Sequence, residues 1–331
     1  MGLNSNDKVK VGIIGVGKMG TYHANVLSAL NKDVEFVGVY DINRKRSEII
    51  ARRYNIKYFE TMDDILENVD AVCIAVPTKY HFEVAKKTLE EDKHTLLEKP
   101  IARTVEEARE LVKIAEERGL IFQVGHVERF KGAVTELRKI VNDPYLIEAR
   151  RLSPWINKDW DTGVVLDLMI HDIDIVLSLI KSNVVHIDAV GKRVKSLYED
   201  VASALLQFEN GAIASITSSR LSETRIRAMA ISQDKAFIYL NFETQDINIY
   251  RGASASFFVS KKEITYKHET IVERVLVQKE NALKEELVHF IECIKGETKP
   301  IITGEDDVKT LSVTIDIIKS INKKMAKERV W

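Results

Sequence analysis

The chain has only two cysteines in 331 residues, Cys73 and Cys293. Two are too few for a disulfide framework, which points to a reducing compartment. Cys73 sits inside an apolar run and reads as a buried small hydrophobe. No apolar run approaches the roughly 20 residues needed to span a bilayer. The start, Met1-Gly2-Leu3-Asn4-Ser5-Asn6, lacks the apolar core of a signal peptide, and Asn6 breaks the myristoylation pattern. A cytoplasmic protein with no membrane partner is expected. Neither sign of charge dominates: 49 Lys and Arg against 50 Asp and Glu leave a net charge of −1. Attraction to nucleic acid or anionic membrane is therefore not expected. The Lys-rich stretch Lys323 to Arg329 reads as a solvated helix end. The eight histidines are scattered, and no Cys, His or Glu spacing suits zinc, so no metal site is expected. G-x-S-x-G and Walker motifs are missing too, as are internal repeats, low-complexity tracts and Pro/Gly-rich linkers.

Glycine is sparse, at 15 residues, yet three glycines fall in one hexamer. Val11 to Ile14 reads as a buried parallel strand. It runs into Gly15-Val16-Gly17-Lys18-Met19-Gly20, a complete G-x-G-x-x-G, and helical spacing follows from Thr21 to Leu30. Gly15 permits the tight turn, Gly17 lets a pyrophosphate approach the backbone, and Gly20 lets the helix pack close to the strand. The N–H groups of the helix N-terminus, Lys18 and Met19 among them, then face the phosphates. A second strand, Val34 to Tyr40, ends in Asp41, placed to hold a ribose 2′-hydroxyl. Asp41 repels a 2′-phosphate, which favours NAD over NADP; Arg44, three residues on, works against that preference.

Strands and helices then alternate. Arg44 to Tyr54 reads as a helix, Ile56 to Phe59 as a strand and Met62 to Glu67 as a helical turn. Asp70 to Pro77 is a buried strand stopped by proline, and Thr78 to Glu91 a helix. Thr95 to Leu97 is a strand running into Glu98-Lys99-Pro100. Thr104 and Glu107 make a capping box for a helix to Arg118, ended by Gly119, and Leu120 to Val124 is a further strand. This order means a doubly wound parallel sheet, whose ligands lie beyond the carboxyl ends of the strands. Gly15–Gly20, Asp41, Pro77-Thr78 with His81, and Glu98-Lys99 all fall there. A dinucleotide-binding domain over 1–125 is expected.

The pattern changes in 126–331. Phe130 to Val141 reads as a helix, Leu146 to Leu152 as a strand, and Val164 to Ile180 as one apolar helix. From His186 to about Thr270 strand follows strand, with hairpin turns at Asn210-Gly211 and Gln233-Asp234-Lys235. Helices follow at Lys279 to Lys295 and Glu305 to about Lys324. The expected fold is α/β: an N-terminal doubly wound parallel sheet plus a C-terminal α+β domain with a large, mostly antiparallel sheet. The second face of that sheet calls for a partner subunit.

Asp167 and His171, four apart on the apolar helix, share a face. A histidine beside a carboxylate suits removal of a hydroxyl proton while hydride leaves the carbon; a satisfied core pair is the plainer alternative. Asp174, also on this helix, is the weaker partner for His171, and Asp172 reads as a cap or interdomain contact. Lys99 stands at a strand end beside the cofactor, or in an ordinary surface loop. His126, Glu128 and Arg129 lie just past the last strand of the first domain, at the seam where substrate is expected. The alternative there is hinge packing with a surface ion pair. His81 either touches the nicotinamide side or caps its loop.

Four marks together resemble the glucose–fructose oxidoreductase / inositol dehydrogenase / MocA family (Gfo/Idh/MocA). They are Val11 to Gly20, Val76-Pro77-Thr78 with His81, Glu98-Lys99-Pro100, and Asp167-x-x-x-His171-Asp172-Ile173-Asp174. Pro300 to Asp307 looks like this family as well. The resemblance implies a Rossmann domain and an NAD(P)-dependent dehydrogenase oxidising a secondary hydroxyl of a sugar, cyclitol or nucleotide sugar. It implies Lys99, Asp167 and His171 as the catalytic set; His126 and Arg129, at the seam, are placed to meet substrate. It also implies a homodimer or homotetramer joined through the C-terminal sheets. Many relatives have a Gly-rich approach to the Asp-x-x-x-His helix where this chain has Thr162-Gly163-Val164-Val165. Gly125 to Phe130 looks like the branch acting on the 3-hydroxyl of UDP-N-acetylglucosamine. Arg129, Lys131, Arg150 and Arg151 are then candidates to meet a diphosphate, or surface charge. Inositol or a simple sugar is the alternative substrate, and a catalytically silent NAD-binding regulator the alternative of another class.

Overall fold

The computed structural model describes residues 7–157, 160–252 and 270–328. The N-terminal hexapeptide, part of the stretch read as strand up to Thr270, and Arg329 lie outside the described residues. The chain forms two compact units: residues up to 130 together with 280–312, and residues 131–279 with those from 313 onward.

The first unit begins β1 (Val9–Ile14), α1 (Lys18–Leu27), β2 (Val34–Tyr40), α2 (Arg44–Tyr54), β3 (Lys57–Tyr58), α3 (Met62–Leu66) and β4 (Ala71–Ile74). A 3₁₀ turn (Thr78–Tyr80), α4 (His81–Glu90), β5 (His94–Glu98), α5 (Val105–Arg118) and β6 (Phe122–Gly125) follow, then a second 3₁₀ turn, Val127–Phe130. The six strands pair in parallel in the order β3-β2-β1-β4-β5-β6. Order reverses beside β1, at the switch point where such sheets bind ligands. Local chemistry sets the helix ends. Thr104 and Glu107 close the expected capping box, and Gly119 ends α5 in the left-handed region at φ 65°.

The second unit contains α6 (Gly132–Ile140), β7 (Leu146–Leu152), a π-helical turn over Val165–Met169, α7 (Ile170–Leu179) and β8 (Val184–Lys192). β9 (Val201–Phe208), β10 (Ile213–Ser219), β11 (Ile226–Gln233), β12 (Ala236–Asn241), β13 (Asp246–Gly252) and β14 (Thr270–Val275) complete its sheet. The order is β14-β13-β12-β11-β7-β10-β9-β8. Every described pairing is antiparallel except β7 with β10. Both expected hairpin turns are present, at Asn210-Gly211 and Asp234-Lys235. One sheet face packs against Val134 and Leu137 of α6 and Ile173 and Val176 of α7. The other leaves Val190, Leu205, Phe237 and Tyr239 exposed.

Last come α8 (Ala282–Ile294) and α9 (Gly304–Glu328). A contiguous second domain from 126 differs from what is found, because α8 belongs to the first unit. Its Leu287, Phe290 and Ile291 share a core with Ile13, Cys73 and Leu96 of the parallel sheet. Periodicity marks α8 as amphipathic; it says nothing of which sheet that stripe covers.

Candidate active site

Each glycine of the first loop has its own geometry. Gly15 has φ +90°, and a Cβ there would lie 2.8 Å from the Ala75 carbonyl oxygen. A Cβ on Gly20 would lie 1.9 Å from the Gly15 carbonyl oxygen, so only hydrogen fits between helix and strand. A Cβ on Gly17 would meet nothing within 4 Å. Gly17 caps α1, and the open space beside it is where a pyrophosphate would approach the helix N-terminus, past Lys18 and Met19. Asp41, just beyond β2, accepts hydrogen bonds from Val16 N and Asn43 N, both at 2.8 Å. Each carboxylate oxygen keeps acceptor capacity for a sugar hydroxyl. The loop thus fits a dinucleotide. Gly17→Ala is expected to leave the melting temperature unchanged and to weaken dinucleotide binding. Calorimetry beside an NADH fluorescence titration checks both halves.

Arg44 lies at the start of α2 with its guanidinium taken by neighbours. It donates to Glu48 and to Tyr58 Oη, both at 2.9 Å, and pairs with Glu60 at 3.1 Å. His81 is buried, with Nδ1 2.6 Å from the Pro100 carbonyl and Nε2 2.9 Å from that of Val76. It therefore ties the loop after β4 to the loop after β5, the capping alternative, and offers a cofactor no ring nitrogen. Burial pulls its pKa below the ordinary histidine value, against the two carbonyls. Thr78 opens the 3₁₀ turn after Pro77. Glu98 ends β5 and receives His23 Nε2 at 2.8 Å. Lys99 follows, half-buried, joined to Pro100 by a cis peptide. His126 and Arg129 are buried rather than surface groups, and His126 Nε2 lies 3.1 Å from Asp307 Oδ1.

In the second unit, Asp167 sits in the π-helical turn and His171 in the first turn of α7. The expected single helix from Val164 is thus π, then α. Such turns recur at functional sites. Its approach is firmly anchored. Val164 N donates to the Glu199 carbonyl at 2.9 Å and Asp167 N to the Gly163 carbonyl at 3.0 Å. Arg220, fully buried, donates to the Thr162 carbonyl at 3.0 Å and to Asp200 at 2.8 Å, with the Trp160 ring 4.1 Å away. Burial works to raise the Asp200 pKa. The Ser196 hydroxyl and the N–H groups of Val194, Lys195 and Ser196 outweigh it and hold the carboxyl well below its usual range.

Two sequence expectations are revised here. Asp172 forms a buried bidentate pair with Arg151 at 2.9 and 2.8 Å, inside the second unit. Arg151 is accordingly no diphosphate ligand and no surface charge. Arg150, its neighbour on β7, is exposed on the opposite sheet face from Arg151. Among the described residues no cluster of three or more His, Cys, Asp or Glu forms a metal site. Sequence reasoning missed His23, Glu199 and Arg220. A histidine among Ala24, Val26 and Leu27 on the buried stripe of α1 is a readable signal; Glu199 and Arg220 give none, because their partners are distant in sequence.

A parallel sheet with this glycine loop at its switch point defines a dinucleotide-binding protein. Residues 9–126 match a model described as an oxidoreductase family with an NAD-binding Rossmann fold, and 130–239 match the GFO/IDH/MocA C-terminal domain. The chain belongs to the Gfo/Idh/MocA family of oxidoreductases. It is 35 % identical over 247 residues to a UDP-N-acetylglucosamine 3-dehydrogenase of Acidithiobacillus ferrooxidans, covering 74 % of this chain and 78 % of that one. A solved structure of that dehydrogenase has a TM-score of 0.87 at 30 % identity, over 95 % of this chain and 98 % of that one. A scyllo-inositol 2-dehydrogenase (NAD(+)) of Bacillus subtilis is 28 % identical over 96 % of this chain and 95 % of its own. The protein is an enzyme, a dehydrogenase using a nicotinamide cofactor.

Proposed function

We propose that the enzyme oxidises a secondary hydroxyl of a nucleotide sugar to a ketone, with the 3-hydroxyl of UDP-N-acetylglucosamine as first candidate. The observation that carries this reading is the likeness to the Acidithiobacillus dehydrogenase, at 30 % identity over 95 % of the chain. The Gly125 to Phe130 stretch supports it. When bound, the nicotinamide supplies a hydride acceptor. His171 takes the hydroxyl proton, Asp167 orients the imidazole, and Lys99 polarises the oxygen or relays the proton. The carbon loses a hydride and the oxygen a proton, leaving the carbonyl. NAD is favoured over NADP: Asp41 brings negative charge to the end of β2, and the guanidinium of Arg44 is committed to Glu48 and Glu60. The exposed face carrying Leu205, Phe237 and Tyr239 favours a homodimer or homotetramer built through the sheet.

A second reading, oxidation of free inositol, is favoured by the 28 % identity to the Bacillus enzyme over nearly the whole chain. Absorbance of the reduced nicotinamide, followed with NAD or NADP against UDP-N-acetylglucosamine, inositols and simple sugars, separates the two. Turnover with NAD and the nucleotide sugar is expected. Turnover with inositol alone supports the second reading. Dinucleotide binding without turnover on any of them would overturn both readings of the substrate.

A further inference from the structure

A buried polar cluster lies under the parallel sheet, on the face that α1 and α8 cover. Register places Gln123 of β6 beside Leu96 of β5, and Leu96 beside Cys73 of β4. Leu96 and Cys73 pack in one core with Leu287 and Phe290 of α8. Glu98, two residues beyond Leu96, projects to the same face, where His23 of α1 meets it at 2.8 Å. Glu286, on α8 beside Leu287, is fully buried. Five polar atoms in this cluster have no protein partner: both Glu286 carboxyl oxygens, both Gln123 side-chain polar atoms and His23 Nδ1. All three residues are at least nine-tenths buried.

Orphaned groups at that depth are costly unless water or a proton satisfies them. Buried water commonly joins about three such atoms. Burial, and then the charge of Glu98, raise the Glu286 pKa well above the ordinary glutamate value. Glu98 on β5 and Cys73 on β4 interact with it electrostatically, and the elements packed on α8 bring further titratable groups, His23 on α1 and Glu128 and Arg129 in the 3₁₀ turn.

We infer that Glu286 and His23 are positioning residues. Through water enclosed with Gln123, the Glu286 carboxyl and the His23 ring fix Glu98, and so fix the strand end from which Lys99 projects. This rests on the role proposed for Lys99, so the first test needs no substrate. Infrared difference spectra of the resting protein are expected to show a protonated-carboxyl C=O band at neutral pH, absent in Glu286→Gln. Lack of that band in the wild type would overturn the inference.

The second test is kinetic, on whichever substrate the panel identifies. Glu286→Leu is expected to lower kcat by up to about 10²-fold and displace its pH profile, with KM for the dinucleotide unchanged. Glu286→Gln, which keeps a hydrogen-bonding carbonyl and amide, is expected to restore both. A Leu variant with wild-type kcat and pH profile, or a Gln variant as impaired as Leu, would sink the positioning role. Failure of every substrate in the panel bears on the proposed function alone and leaves the infrared result standing.

Discussion

Replacing His171 by alanine is expected to lower kcat by about 10²- to 10⁴-fold, the usual worth of a positioned general base. NADH affinity is expected to hold, because the dinucleotide loop belongs to β1 and α1 while His171 belongs to α7. Lys99→Ala is expected to give a loss of the same order. The two variants differ in their pH profiles. Without His171, the limb that reports its deprotonation should vanish from the profile of kcat. Without Lys99, that limb should remain at lower amplitude. Coupled groups share a titration, so the apparent pKa values belong to the pair. Stopped-flow absorbance with a substrate identified by the panel is the measurement. If either variant kept wild-type turnover with intact NADH binding, its assigned role would be wrong.

Asp172→Ala is expected to destabilise the second unit by about 3–5 kcal/mol, the cost of leaving one member of a buried ion pair without the other. Arg151 is 2 % exposed and Asp172 1 %, so water cannot take the place of the lost carboxylate. The Phe242 ring lies 5.4 Å from the Arg151 guanidinium, a contact weaker than a charge pair. Replacing both partners, with Arg151→Met and Asp172→Leu, should cost much less than Asp172→Ala alone. The double variant removes the desolvated charges as well as their attraction. Urea unfolding followed by circular dichroism compares the three proteins. A double variant no more stable than Asp172→Ala would mean that the pair adds geometry that apolar packing cannot replace.

Most of the first sheet is legible in the sequence because its signals are local. Gly15, Gly17 and Gly20 declare their turn, and Thr104 and Glu107 their cap. Each is decided by neighbours a few residues away. The π-helical turn at Asp167 is not legible in this way. Nearly every residue of α7 is buried, so there is no polar face to show the phase of the helix or a change in it. Partner choice is hidden for a different reason. Asp172 looks available until Arg151, on a strand 21 residues earlier, is brought beside it. His81, Arg44 and Arg220 likewise reveal their engagements only in three dimensions, because charge and residue type say what a group can bind and not which neighbour reaches it first.

The first unit is discontinuous in sequence: its core waits for Leu287 and Phe290. A fragment ending at residue 130 would therefore expose the apolar flank that α8 covers, and would be expected to aggregate rather than fold as an excised nucleotide-binding module. The same holds on the ribosome. The residues up to 130 cannot reach their final packing until those of α8 have begun to emerge, so the nascent chain depends on staying unaggregated while roughly 150 intervening residues are made.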